Sequence, residues 1–172
     1  MRIIEVVPHH EKWQEMFVEE SKKLRDIFRN EIINIYHIGS TAIKDIYAKP
    51  IIDILVEVRD IEEIDNYNEK MIQLGYEVKG ENGIPNRRFF CKGGDQRTHH
   101  VHIFQQGNPE ITRHLAFRDY LNHHPEEAQK YSNLKRALAS KYKYDIESYI
   151  KGKDSFIKEI DGKAKKWVER ID

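Results

Sequence analysis

Residues 37–58, HIGSTAIKDIYAKPIIDILVEV, decide the fold of this chain. The β-branched and aromatic residues at positions 33–38 predict a first strand that leads into this stretch. Gly39 and Ser40 then interrupt the run, and residues 41–48 leave room for about two helical turns. Pro50 ends those turns, because the residue before a proline is disfavoured in the helical region. The stretch therefore predicts a strand, a Gly-Ser turn, a short helix and a second strand.

The second strand, from Ile51 onward, is apolar at nearly every position, as in a strand buried on both faces. Asp53 interrupts this run. An ionised carboxylate in such a strand is costly unless another group pairs with it, so Asp53 marks a candidate site. Period-2 alternation places Asp53, Leu55 and Glu57 on one face of the strand, and Ile52, Ile54, Val56 and Val58 on the other.

The composition is globular and predicts one domain over residues 1–172. Lys and Arg together number 29, as do Asp and Glu, so no overall charge points to nucleic acid or to a membrane surface. The chain has no apolar stretch of membrane-spanning length and no signal-peptide pattern, and its single cysteine, Cys91, excludes an internal disulfide. We therefore expect a cytoplasmic protein, and the composition leaves its oligomeric state open.

The rest of the chain alternates between helical and strand-like patterns. Helical periodicity predicts helices over residues 9–30, 61–74, 111–121 and 125–143, and a last helix that begins at Asp154 or Ser155. Short strands are predicted over residues 3–7, 76–79, 87–92 and 98–104. The apolar stripe of the 125–143 helix includes either Leu134 or Lys135. The fold class is therefore α/β (α+β), with a mixed sheet of about five strands, flanking helices and a helical C-terminal half packed on the sheet.

The Gly39-Ser40 pair can offer backbone N–H groups and a hydroxyl to a phosphate, although it is equally typical of a structural turn. Twelve residues separate Ser40 from Asp53, and this arrangement resembles the signature of the nucleotidyltransferase superfamily with the polymerase β-like fold. There the Gly-Ser turn holds the triphosphate and strand carboxylates hold a divalent metal. The superfamily pattern has a second acid where this chain has Leu55. Glu57 is about 13 Å from Asp53, too far to share one metal in the usual way, which argues against two-metal chemistry.

A wider set of segments resembles the GrpB family of nucleotidyltransferase-like proteins. These segments are HHEKWQEMFVEESKKL, IYHIGSTAI, AKPIIDILVEV, NRRFF, THHVHIF and LAFRDYLNHHPEEAQKYSNLKRALASKY. The resemblance covers nearly the whole chain. It implies a mixed sheet with flanking helices, a cytosolic bacterial protein, and kinship with a module that some bacteria fuse behind dephospho-CoA kinase.

His100 and His102 point the same way from a strand, and neutral imidazoles at this spacing can bind one metal. By resemblance, they lie where the superfamily has a third acidic ligand. One hypothesis is a metal site of Asp53, His100 and His102 for Mg²⁺, Mn²⁺ or Zn²⁺, in which the softer imidazole ligands tilt the preference from Mg²⁺ toward Mn²⁺ or Zn²⁺. The alternative is that both imidazoles hydrogen-bond to Asp53 without metal. Either way, we expect these three residues to meet.

Several basic residues are candidates to bind phosphate. Arg88, or Arg87 instead, can face the site, because only one of two adjacent strand residues faces a given side of the sheet. An ordinary structural ion pair is the alternative for either arginine. Lys49 lies at the mouth of the acidic strand, where it is a phosphate ligand or a solvated lysine. Lys151 and Lys153 resemble the family's C-terminal segment and suit either a polyanionic ligand or a solvated face.

The function expected from these residues is metal-dependent transfer of a nucleotidyl group from an NTP to an acceptor. In this hypothesis Asp53 and Arg88 are catalytic, and Gly39, Ser40, Lys49 and Arg88 bind phosphate. The first alternative is a non-catalytic module that binds a nucleotide or another phosphorylated small molecule, such as a coenzyme A precursor. The second is a metal-dependent phosphoesterase. Leu55 favours the non-catalytic module, whereas Asp53 and the paired histidines favour a metal-linked function.

Overall fold

The computed structural model describes residues 2–171, and its centre is one five-stranded sheet with the strand order β1-β2-β5-β4-β3. The strands are β1 (Ile32–Ile38), β2 (Ile52–Val58), β3 (Tyr76–Val78), β4 (Arg87–Lys92) and β5 (His99–Gln105). Strand β2 pairs antiparallel with β1 and parallel with β5, and β4 pairs antiparallel with both β5 and β3. The predicted mixed sheet of five strands is therefore confirmed.

Five α-helices flank this sheet. They are α1 (Lys12–Phe28), α2 (Asn68–Gln73), α3 (Pro109–His123), α4 (Pro125–Lys141) and α5 (Ile146–Ile171). Helices α1 and α2 supply apolar residues to the core on one face of the sheet, and α3 packs on the other face. Helices α4 and α5 pack against α3, so the C-terminal half adds a helical layer on the same side as Asp53.

The two faces of β2 bury different residues, as the alternation predicts. Ile52, Ile54, Val56 and Val58 belong to the main core under α1 and α2. Leu55, on the opposite face, packs with Phe104 and Ile111 beneath α3. Because β2 is covered on both sides, Asp53 lies at the boundary of the second core rather than in open solvent.

The predicted short helix over residues 41–48 is wrong, since only one 3-10 turn forms there, over Ser40–Ala42. Side chains of α3 and α4 satisfy the backbone of this segment instead. The Lys44 amide donates to Asn122 Oδ1 at 2.9 Å, and the Tyr47 amide donates to Ser132 Oγ at 2.8 Å. Tertiary hydrogen bonds therefore replace the helical ones.

The predicted strand over residues 3–7 is also wrong beyond a single bridge between Val7 and Ala48. The Ile4 amide donates instead to the Lys143 carbonyl at 2.8 Å. The N-terminal segment is therefore tied to the chain between α4 and α5 as well as to the segment before β2.

Helix α5 begins at Ile146 and not at the predicted cap, Asp154 or Ser155. Its first turn is capped by Asp145, whose carboxylate accepts hydrogen bonds from the Ser148 amide at 3.1 Å and from the Ser148 hydroxyl at 2.6 Å. The cap was therefore predicted about two turns too late.

Gly152, in the second turn of α5, lies where this helix packs closely on α4. Glycine inside a helix costs about 1 kcal/mol relative to alanine. Here a Cβ atom on Gly152 would lie 2.5 Å from Leu138 Cδ2, so the glycine permits close packing of α5 on α4. That packing brings Lys153 toward the Asp53 side of the sheet.

Candidate functional site

Asp53, His100 and His102 meet on one face of the sheet, on the neighbouring strands β2 and β5, as predicted. The parallel register places Asp53 opposite His100, and the two histidines lie on the same face of β5. Asp53 Oδ1 lies 3.1 Å from His102 Nε2 and 3.5 Å from His100 Nδ1. One carboxylate oxygen therefore faces both imidazoles.

Two arginines decide which nitrogen of each neutral imidazole ring carries the proton. Arg87 Nη1 donates to His102 Nδ1 at 3.3 Å, and Arg97 Nη1 donates to His100 Nε2 at 3.2 Å. A guanidinium has only donors, so the imidazole nitrogen facing it must accept. The other nitrogen of each neutral ring then carries the proton, and that nitrogen faces Asp53. His102 is therefore a hydrogen-bond donor to the carboxylate, and His100 turns its N–H toward the same oxygen from 3.5 Å.

These donors keep Asp53 ionised. Burial by itself raises the pKa of the Asp53 carboxyl, but the hydrogen bonds from His100 and His102 outweigh it and hold that pKa well below its ordinary value. Because Oδ1 takes both imidazoles, Oδ2 is the oxygen turned toward the Gly39 turn. The carboxylate therefore lies between the two imidazoles and the Gly39 turn, and Asp53 lines the adjoining pocket.

Gly39 is required by this arrangement. Its backbone has φ 72° and ψ −170°, a region that is essentially restricted to glycine. A Cβ atom at this position would lie 2.7 Å from Asp53 Oδ2. The glycine therefore lets the Gly-Ser turn approach the carboxylate. His37 supports the same turn from outside the pocket, since its Nε2 lies 2.8 Å from Thr41 Oγ1.

Asp53 opens into a cavity of about 170 Å³, which we call the lysine pocket. The sheet side contributes Gly39, Ser40, Asp53 and Lys49, and the helical layer contributes Lys135 from α4 and Lys153 from α5. The pocket also contains the phenol groups of Tyr131 and Tyr149. Three lysines thus converge on one carboxylate, in a pocket that no single segment of the chain could form.

Lys135 is the least expected member of this pocket. Its side chain is 1% exposed, and its Nζ has no hydrogen-bond partner among residues 2–171. The amine lies 4.4 Å from the centroid of the Tyr131 ring, a cation–π contact that partly compensates for its burial. Burial, and then the charges of Lys153 and Lys49, lower the pKa of Lys135 well below its ordinary value of 10.5. An anion beside this amine would favour the charged form that burial disfavours.

Burial also perturbs the other lysines and a tyrosine of the pocket. Burial, with Lys49 as the next cause, lowers the pKa of Lys153 to about 8. Burial also lowers the pKa of Lys49. The Tyr149 hydroxyl is buried and, like the Lys135 amine, has no hydrogen-bond partner within the described chain. The pocket thus contains one amine and one phenol, those of Lys135 and Tyr149, that residues 2–171 leave without a hydrogen-bond partner.

The donor chemistry of the site decides which metal ligands it can supply. Among residues 2–171, no group of three or more histidine, cysteine, aspartate and glutamate side chains is arranged to hold a metal ion. The imidazole nitrogens that face Asp53 carry protons, and Arg87 and Arg97 oppose the other tautomer. The predicted set of Asp53 with two imidazole ligands therefore does not fit these contacts.

Arg88 does not reach the site, which corrects the sequence-based assignment. Cross-strand pairing puts Arg88 opposite Ile103, on the other face of the sheet from His102. Its guanidinium instead pairs with Asp65 at 2.7 Å. Arg87 faces the site, where it is buried and donates to His102. The alternation within β4 explains both placements.

The superfamily's second acidic position remains apolar in three dimensions. Leu55 is fully buried beside Phe104, and no acid replaces it there. Glu57, the next residue on that face, accepts a hydrogen bond from Asn34 at 3.1 Å. Asp53 is therefore the one acid among the residues that line the pocket.

Sequence reasoning missed the roles of Lys135 and Arg97. Lys135 appeared only as an alternative to Leu134 in the apolar stripe of α4, and the structure buries Lys135 more deeply. A lysine at a position where the helical period predicts a core residue was the available signal. Arg97 lies in a turn, and no sequence pattern relates it to His100.

The fold defines the class of protein. The chain matches a structure of the Cid1 poly(U) polymerase with MgGTP bound at a TM-score of 0.54 and 14% identity, over 78% of this chain and 44% of that one. At this identity the match shows the fold alone, which is nucleotidyltransferase-like. A crystal structure of GrpB from Enterococcus faecalis matches at a TM-score of 0.92 and 44% identity, over 95% of this chain and 99% of that one.

The chain belongs to the GrpB family. The family described as GrpB protein matches residues 3–163. The UPF0157 protein YqkA of Bacillus subtilis is 52% identical over 166 residues, which are 96% of this chain and 48% of that protein. The chain therefore spans about half the length of this relative. Within residues 2–171, no helix combines the length and the apolar character needed to cross a membrane.

Proposed function

We propose that the lysine pocket binds the phosphate groups of a nucleoside triphosphate and that the protein transfers the nucleotidyl group to an acceptor. The observation that carries this proposal is the buried, unpartnered amine of Lys135 in a pocket with two further lysines. A bound polyphosphate supplies the anions that these cations lack.

Phosphate fits this pocket better than a single carboxylate does. Lys49, Lys135 and Lys153 bring three cations against one aspartate, and two of them come from helices on the opposite wall. A lysine acts on phosphate as a compact point charge with three donors. Several linked phosphates can contact both walls at once. The phosphates also favour the charged form of each amine, and so they raise the pKa that burial lowers.

Magnesium is the metal that suits the oxygen ligands. Mg²⁺ is commonly held by one or two carboxylates together with substrate phosphates, and here Asp53 Oδ2 would be the protein ligand. When bound, the ion would neutralise charge on the phosphates. An oxygen-only ligand set favours Mg²⁺ over Zn²⁺.

The reaction proposed is a displacement at the α-phosphorus. The acceptor's nucleophile forms a bond to the α-phosphorus, and the bond between the α-phosphorus and the oxygen that bridges to the β-phosphate breaks. Pyrophosphate leaves with the electron pair, and the acceptor's proton is released to solvent. The three lysines stabilise the charge that develops on pyrophosphate. The nucleotidyltransferase-like fold, shared with a polymerase whose structure contains MgGTP, supports this chemistry over other reactions of bound phosphate.

Binding is tested by calorimetric titration of ATP, GTP, CTP and UTP with and without Mg²⁺. The proteins compared are the wild type, Lys135→Met, and Lys151→Met as a matched control from an exposed position of α5. We expect binding to wild type and to Lys151→Met, and an affinity about 10- to 100-fold lower in Lys135→Met. Equal affinity in all three proteins would refute the lysine pocket as the phosphate site.

Transfer is tested with α-labelled nucleoside triphosphate and a bacterial small-molecule extract, with products separated by chromatography. We expect a labelled product with wild type and Mg²⁺, and none with Asp53→Asn. Retained nucleotide affinity in that variant would show that its pocket is intact.

The second candidate is nucleotide or phosphometabolite binding without transfer. The fully buried Leu55 favours it, because the second acid of the superfamily pattern is absent. High-affinity binding without any labelled product would establish this candidate and overturn the transferase proposal.

A further inference from the structure

The lysine pocket is too small for a whole nucleotide. Its cavity of about 170 Å³ is below the range of roughly 300–1,000 Å³ that is usual for small-molecule sites. The polar groups that surround it suit phosphate, as proposed above. The organic part of any phosphorylated ligand must therefore lie outside this cavity.

A second cavity, of about 670 Å³, adjoins the first. We call it the outer cleft, and its lining includes Arg2, Ile3, Pro50, Gln96, Arg97 and Ile146. Lys49 and Ile51 line both cavities, so the two spaces meet at the segment that enters β2. A ligand held at its phosphates in the lysine pocket can extend past Lys49 into the outer cleft.

The chemistry of the outer cleft suits a nucleoside. Ile3, Pro50 and Ile146 supply apolar surface against which a planar heterocycle can pack. Guanidinium groups stack on the faces of such rings and donate to their edges. Arg97 is held in place for this role, since its Nε donates to the Gly94 carbonyl at 3.0 Å and its Nη1 to His100.

We infer that the outer cleft is a nucleoside-binding site for the ligand whose phosphates occupy the lysine pocket. This inference rests on the proposed function and deepens it by placing the base and sugar. Arg97 then contacts both the nucleoside and His100, and His100 faces Asp53. Occupancy of the outer cleft is thereby connected to the carboxylate at the pocket.

Two ligands separate the cavities: tripolyphosphate needs only the lysine pocket, whereas a nucleoside triphosphate needs both. Calorimetry with each ligand, in Mg²⁺, is performed on wild type and on two variants that fill the outer cleft, Ile146→Trp and Gln96→Trp. Gln96 is exposed in a turn held by its own backbone, so its variant keeps the test valid if Ile146→Trp unfolds. Ile150→Trp, one turn further along α5 and 52% exposed, is the matched control.

We expect wild type to bind at least one of ATP, GTP, CTP and UTP at least about tenfold more tightly than tripolyphosphate. Both cleft variants should lose that advantage and keep their affinity for tripolyphosphate, and Ile150→Trp should match wild type. Unchanged nucleotide affinity in the folded cleft variants, with tripolyphosphate bound normally, would overturn this inference alone. Failure of tripolyphosphate to bind wild type would overturn the proposed phosphate site and this inference with it.

Discussion

Replacing Lys135 by methionine should stabilise the free protein and weaken its binding of nucleotide. The change keeps an unbranched stem of similar size and removes an amine that is 1% exposed and lacks a hydrogen-bond partner within residues 2–171. Leaving a buried polar group unsatisfied costs about 1–3 kcal/mol. The cation–π contact with the Tyr131 ring offsets about 2 kcal/mol for the charged amine only, and burial of that charged form costs more than this range.

Taken for the neutral amine, which has no cation–π offset, the expected gain in the free energy of unfolding is therefore about 1–3 kcal/mol. In a chain of this size, each kcal/mol raises the melting temperature by about 2–4 °C. A charged hydrogen bond contributes about 1.5–3 kcal/mol, so nucleotide affinity should fall about 10- to 100-fold. Thermal unfolding monitored by circular dichroism, without and with nucleotide, measures both effects, and Lys151→Met should behave as wild type.

The pH dependence of this gain gives a further check. The folded pKa of Lys135 lies below its ordinary value of 10.5, so between the two the unfolded chain binds a proton that the folded chain lacks. Wild-type stability therefore rises with pH across that window, and the advantage of Lys135→Met should be greatest at its low-pH end. A variant that is less stable than wild type at neutral pH, or one that binds nucleotide normally, would refute the reasoning.

Three further predictions follow from the same contacts. Gly39→Ala should lower the free energy of unfolding by about 1–3 kcal/mol and abolish nucleotide binding, because the added Cβ would meet the Asp53 carboxylate in a backbone conformation that favours glycine. Thermal unfolding and calorimetry measure the two effects. A variant as stable as wild type would contradict the argument. Nucleotide affinity should fall above about pH 8, because Lys153 loses its proton there in the unliganded protein. Calorimetric titrations from about pH 7.5 to about pH 9.5 measure this fall. An affinity that does not change with pH would count against a role of Lys153 in phosphate binding. Arg87→Ala should lower the free energy of unfolding by about 2 kcal/mol or more, because it breaks buried charged hydrogen bonds. Arg88→Ala should lower it by less than about 1 kcal/mol and leave nucleotide affinity unchanged. Equal losses of stability in chemical denaturation would mean that the two faces of β4 are misassigned.

Much of the fold could be predicted from local sequence. The alternation in β2 separates Asp53 and Leu55 from the isoleucines and valines of the main core, and the structure buries each set as expected. Helix periodicity located all five helices, because burial of one apolar stripe imposes a regular spacing on the sequence. The errors fell at residues 3–7, at residues 41–48 and at the start of α5, where groups from distant segments or from a neighbouring turn satisfy the backbone.

The sequence by itself determined that Asp53 needs a partner, that His100 and His102 share a face, and that a Gly-Ser turn precedes the acidic strand. Only the tertiary structure decided which arginine faces the site, since the register of β4 against β5 is a non-local property. It also decided that Lys135 and Lys153 join Lys49 in one pocket. These lysines lie far apart along the chain, and no periodicity records the packing of α4 and α5 over the sheet that brings their charges together.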